Sequence, residues 1–204
     1  MTEPIPTFPR PSVPRAFMGV ILACVAVQLL MLVPAWDEWG MLHGALWPQL
    51  FQNVRPMFPG QQVTMFLTYG FLHGGLLHLG MNMLALYVLA RSLSLAMSGA
   101  AMVALYVVAQ VAAGAVQLWL SDSPLPVVGA SGAIFGLAGA EIAIAARIQL
   151  GKGGSLRPIM GPVLQFVLLN VLLTLAVPNI AWQAHLGGAL TGLVMGALYR
   201  PLRR

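Results

Sequence analysis

A few side chains in this sequence have types and spacings suited to nucleophilic acyl chemistry. Ser131 stands in the run PVVGASGAIFG, Pro126 to Gly136, between glycines at the head of an apolar segment. A serine hydroxyl is a poor nucleophile until a neighbouring imidazole takes its proton, and that imidazole can later return the proton to a leaving amine. His185 opens another apolar segment and is the candidate partner. His78 and Asn82 are four residues apart, so they stack one turn above the other on one helix face, and both can donate hydrogen bonds. A serine at a helix N-terminus also lies beside unpaired backbone N–H groups aimed at any developing negative charge. Together these groups would make an acyl-transfer site, in which a single oxyanion donor is typically worth ~10² to 10³ in rate. Each residue also has a plainer role: Ser131 as a small residue or helix cap, Asn82 as an interhelical bridge, and the histidines as satisfied polar groups.

Composition dictates what must position these residues. The chain is 59% apolar and 7% charged, with a mean hydropathy of +0.85, whereas a soluble domain has about 25% charged residues. It reads as a polytopic all-α membrane protein, because helices of about 20 apolar residues are the open-ended solution to backbone hydrogen bonding in a bilayer. Six segments qualify, approximately 16–33, 65–90, 96–120, 129–147, 158–177 and 182–199. The second begins as a re-entrant or loop segment, with its helix starting near Gly75 or Leu76. Residues 1–15 carry four prolines before Pro14 and read as a disordered cytoplasmic tail ahead of a membrane domain over 16–204. Between Pro34 and Pro59, Trp36, Trp39 and Trp47 amid leucines fit a segment lying in the membrane interface.

Charge orients the spans. With both termini cytoplasmic, Arg10, Arg15, Arg91, Arg147, Lys152, Arg157, Arg200, Arg203 and Arg204 fall inside, nine of the ten basic residues, and only Arg55 falls outside. The net charge of +5 therefore reports topology; the sequence has no basic stripe interleaved with aromatics that would suggest nucleic acid. Cys24 is the sole cysteine, which excludes an intrachain disulfide and a thiolate zinc cluster. No metal or cofactor is expected.

Depth can then be counted from the cytoplasmic charges. Ser131 to Arg147, His185 to Arg200 and His78 to Arg91 correspond to about 24, 22 and 20 Å of helix. All three side chains share one depth, in the outer part of the bilayer. Contact further requires close helices: Gly132, Gly136 and Gly139 in the fourth span, and Gly188, Gly192 and Gly196 in the sixth, form flat strips that allow it. Polar residues at other places in the spans are His73, Glu141, Asn170 and Thr174. Glu141 lies about 15 Å below Ser131, too deep to orient His185, and reads as a structural hydrogen-bonding acid.

With these residues in place, the chain resembles a rhomboid intramembrane serine protease of the six-span bacterial type. GASG around Ser131 resembles the family's glycine-any-serine-glycine motif, FLHGGLLHLGMN (Phe71 to Asn82) its span-two signature, and AHLGGALTG (Ala184 to Gly192) its span-six signature. The resemblance implies Ser131 as nucleophile and His185 as general base and acid. It further implies His78, Asn82 and the Ser131 backbone N–H as oxyanion stabilisers, with Gly129 and Phe135 among the oxyanion and substrate-binding residues. The substrates it implies are single-span membrane proteins, cut without a cofactor at a bacterial inner membrane, with membrane lipids as surroundings and span five as a lateral gate. The chain departs from the family's pattern twice. GQQVTMFLTYGFLH lacks the tryptophan-arginine pair that many members carry before the span-two motif, and Phe135 stands where an aromatic residue, often tyrosine, stacks on the histidine. Stacking does not require the hydroxyl, so His185 is expected to keep its orientation.

Two other functions compete. A silent rhomboid-like protein that binds membrane clients would lack the serine or the histidine. A small transporter would use Glu141 and the histidines as a relay, but the polar residues gather at one depth and no inverted repeat is evident. The sequence has no HExxH for a zinc protease, no aspartate within a span for an aspartyl dyad, and neither the final glycine nor the preceding strand of a lipase elbow.

Overall fold

The computed structural model describes residues 11–52, 54–176 and 180–200. Most of the tail expected to be disordered, Arg10, the last residue of the 158–177 segment, Arg203 and Arg204 lie outside the described residues. The described chain is helical, apart from an isolated antiparallel bridge between Leu46 and Val127. Its helices are α1 (Arg15–Leu30), α2 (Pro34–Gly44), α3 (Gln61–Thr68), α4 (Leu76–Leu93), α5 (Gly99–Leu120), α6 (Ser131–Gly151), α7 (Arg157–Ala176) and α8 (Trp182–Leu198). By length and composition, α4, α5 and α6 are each sufficient to cross a membrane.

Local sequence explains the breaks. The 65–90 stretch is not one helix: α3 tightens into a 3₁₀ turn at Tyr69–Phe71, and the chain restarts as α4 only after Gly75, whose φ of +113° stops any continuous helix. That restart is where the sequence reading set the true helix. Pro34 starts α2 with its fixed φ and no N–H to satisfy. Ser98 caps α5 by accepting from the Ala101 N–H at 3.2 Å.

The centre of the bundle is a packing of α5, α6 and α8. Helices α6 and α8 run parallel in constant register, with Gly188 against Gly132, Gly192 against Gly136 and Gly196 against Ala140. A Cβ on Gly188 or Gly192 would lie 1.9 Å from the facing carbonyl oxygen, so the backbones touch directly. The glycine spacing predicts this pairing. It does not reveal that Gly132 and Gly136 also admit α5: a Cβ on them would meet the Ala113 and Ala109 methyls at 2.4 and 2.3 Å. α6 is thus wedged between two helices at once. In contrast α7 lies at the edge, packed on α6, with Leu164, Leu168, Leu172 and Leu175 exposed.

The segment between α1 and α4 is tied down without the tryptophan-arginine pair. Gln61, buried, accepts from the Met57 N–H at 2.7 Å and donates to the Leu42 carbonyl at 2.6 Å. Thr68 Oγ1 donates to the Gly44 carbonyl at 2.8 Å, and the Trp47 indole to that of Met41 at 2.8 Å. Trp36 and Trp39 remain exposed on α2.

The two ends of the bundle differ in chemistry. At one end Arg147 donates to the carbonyls of Ala197 and Tyr199, the Ser12 N–H reaches Ser94, and the Ser98 N–H reaches the Tyr199 hydroxyl. The starts of α6 and α8, with Ser131 and His185, form the other end.

Candidate active site

Ser131 is the first residue of α6, and the turn that delivers it depends on Gly129. Gly129 has φ +124°, a conformation that costs other L-residues strain. A Cβ there would also lie 2.9 Å from His78 Cε1 and 3.0 Å from Nε2, so glycine is needed both for the turn and to seat the imidazole against the backbone. The turn is braced from below: the Gly129 N–H donates to the Tyr69 carbonyl at 2.8 Å, and the Tyr69 hydroxyl donates to the Gln110 carbonyl at 2.8 Å. Val127 adds a pair of backbone bonds with Leu46, at 2.9 and 3.0 Å.

His185 lies in the first turn of α8, buried, with Nε2 2.9 Å from Ser131 Oγ. This is hydrogen-bond distance for a hydroxyl donating to an imidazole nitrogen. Phe135, one turn after Ser131 on α6, lies flat on the His185 ring, with centroids 4.2 Å apart and planes 6° from parallel. The ring therefore stacks without a phenolic hydroxyl. The start of α8 is held by Gln117 of α5, whose Oε1 accepts from the Ala184 N–H at 3.2 Å, satisfying one of the N–H groups a helix start leaves open.

His78 opens α4 beside this pair. Its Nδ1 accepts from the Gly74 N–H at 3.1 Å, so in the neutral ring the proton sits on Nε2. That nitrogen is the atom seated against Gly129, where it can donate to a negative charge forming next to Ser131. Asn82, buried one turn below, donates to the His78 carbonyl at 3.0 Å, leaving one amide hydrogen uncommitted by that bond. The structure thus brings Ser131, His185, Phe135, Gly129 and His78 together, with Asn82 directly beneath His78. His73 packs edge-on to His78 at 5.2 Å.

Two residues with no assigned part in the sequence reading also belong to the surroundings: Gln117, and Asn170, whose Oδ1 lies 2.9 Å from His185 Nδ1. Gln110 and Gln117 are seven apart on one face of an otherwise apolar helix, a placement expensive enough to have flagged them. Glu141 stands apart, accepting from the Ser92 hydroxyl of α4.

The rhomboid domain family model matches residues 60–202, which contain all of these groups except Leu46. The chain belongs to the rhomboid family. It is 29% identical over 158 residues to human Rhomboid-related protein 3, covering 67% of this chain and 36% of that protein. Against RHOMBOID-like protein 5 of Arabidopsis thaliana it is 34% identical over 137 residues, covering 64% of this chain and 42% of the relative. The chain thus spans less than half the length of the curated relatives it matches. Rhomboid membership and the apolar helices make it an integral membrane protein.

If His78 supplies an oxyanion donor in this rhomboid, His78→Ala should lower kcat for peptide cleavage by ~10² to 10³ and leave KM nearly unchanged. Steady-state kinetics of the purified protein in liposomes check this; an unchanged kcat removes His78 from the reaction.

Proposed function

We propose that this rhomboid is an intramembrane serine endopeptidase that hydrolyses a peptide bond of a single-span membrane substrate. The observation that carries the reading is the 2.9 Å contact between Ser131 Oγ and His185 Nε2, part-buried in an apolar bundle beside the His78 donor. In this mechanism Ser131 attacks the scissile carbonyl carbon as His185 Nε2 takes the hydroxyl proton. The oxyanion is held by the Ser131 backbone N–H and the Nε2–H of His78, with Asn82 as a further donor. His185 then returns the proton to the leaving amine, and a water activated by the same nitrogen releases the acyl group. An oxyanion held by fixed donors in a water-poor site is stabilised more than it would be in water.

The same reading makes α1 and α4 to α8 six membrane spans. Contacts of Ser12 and Tyr199 with Ser94 and Ser98 at the Arg147 end support both termini lying on one side, cytoplasmic by the charge rule, with the dyad in the outer part of a bacterial inner membrane. Presence of both dyad residues in hydrogen-bond contact favours an active protease over a silent client-binding relative.

Labelling with a fluorophosphonate probe tests the assignment. Wild type should be labelled covalently on Ser131 and Ser131→Ala should not; equal labelling of the two sinks the proposal.

A further inference from the structure

Asn170 is a polar side chain in an apolar helix for which the reaction above states no use. It lies on α7, and its Oδ1 approaches His185 Nδ1 at 2.9 Å, on the opposite edge of the ring from Ser131. An amide oxygen only accepts hydrogen bonds, so with Oδ1 facing it Nδ1 carries the ring proton and Nε2 presents its lone pair to the Ser131 hydroxyl. The other tautomer would put a hydrogen on Nε2 and leave the serine without a base. A neutral amide does this orienting without an added buried charge, which a carboxylate at this place would bring.

A second contact comes from the same face of α7. Phe166, one turn before Asn170, packs against Phe135 with ring centroids 4.7 Å apart, and Phe135 is the ring stacked on His185. Helix α7 therefore holds the imidazole twice, at its edge through Asn170 and across its flat face through Phe166 and Phe135. Yet α7 is the edge helix, packed on α6 with much of its surface exposed.

We propose that Asn170 is the positioning residue that fixes the tautomer and orientation of His185, and that the base is competent only while α7 is docked. The inference rests on the Ser131–His185 reading and adds to it a control by helix position. Serine and cysteine hydrolases on other folds use a third residue in the same relation to the histidine.

The test uses the full chain in liposomes with a single-span substrate, comparing wild type with Asn170→Leu, Asn170→Asp, Phe166→Ala and Ser131→Ala. Asn170→Leu should lower kcat by ~10²-fold with KM within about two-fold, the penalty of a mispositioned catalytic group. Asn170→Asp, which keeps an acceptor at the same place, should recover to within about ten-fold of wild type, and Phe166→Ala should lower kcat less than Asn170→Leu does. A merely structural role would lower the thermal midpoint and would not be rescued by aspartate. The inference fails if Asn170→Leu is folded and turns over like wild type, or if aspartate is as slow as leucine. Should the leucine variant not fold, Asn170→Ala decides by the same criteria. Wild-type cleavage no faster than that of Ser131→Ala would overturn both this inference and the protease reading, whereas Ser131-dependent cleavage indifferent to Asn170 overturns this inference alone.

Discussion

Replacing His185 with alanine is expected to bring substrate cleavage down to the level of the Ser131→Ala variant, and the double variant should be no slower than either. In serine hydrolases the two residues act as one unit, so losing either costs about what losing both costs, roughly 10⁶ in kcat. The physical reason here is the single 2.9 Å contact between Nε2 and Oγ. Without the imidazole the hydroxyl keeps its proton, and without the hydroxyl the imidazole has nothing to activate. The measurement is cleavage of a membrane-embedded substrate over long incubations. If the two single variants retain activity measurably above the double, Ser131 and His185 contribute independently and the dyad is wrong.

The second large effect concerns packing, not chemistry. Gly192→Ala would place a methyl 1.9 Å from the Gly136 oxygen and 2.9 Å from its Cα, both backbone atoms that cannot rotate aside. Overfilling a core ordinarily costs about 1–3 kcal/mol, and an obstacle made of backbone puts this case near the upper end. For a chain of this size that corresponds to a fall in thermal midpoint of about 6–12 °C. Cleavage should fall as well, because the α6–α8 register sets the distance between Ser131 and His185. Gly80→Ala is the matched control: nothing lies within 4 Å of the added carbon, and alanine is the better helix former by up to about 1 kcal/mol. Thermal unfolding in detergent checks both. A Gly192→Ala midpoint equal to wild type would show that the helices have room the geometry denies.

How much was legible beforehand follows from which forces leave a one-dimensional trace. Apolar runs and glycine intervals are local patterns, so the helical membrane class, the α6–α8 pairing and the late start of α4 could be read directly. The common depth of Ser131, His185 and His78 followed from a fixed rise per residue. The role of α5 was hidden because Ala109 and Ala113 look like any alanines in an apolar helix; only the Gly132 and Gly136 faces they fill make them special. The anchoring by Gln61 and Thr68 was equally silent, since each bonds a backbone carbonyl that any sequence supplies. Asn170 was visible as an expensive polar residue, but its partner could not be named until α7 had a position in space.

The bridge between Leu46 and Val127 joins parts of the chain that are far apart in sequence. In the α5–α6–α8 wedge, α5 and α6 are joined by a short loop and α6 and α8 are separated by α7. The turn that presents Ser131 has a different history: it is clamped to residues laid down before α3, across all of α3, α4 and α5. The surroundings of Ser131 are therefore complete only when the loop after α2 is docked. A cut or insertion between Leu46 and Gln61 would leave the helices, Ser131 and His185 intact in sequence while loosening the hold of Leu46 on Val127, leaving the Tyr69 carbonyl to brace the turn before Ser131 from outside it.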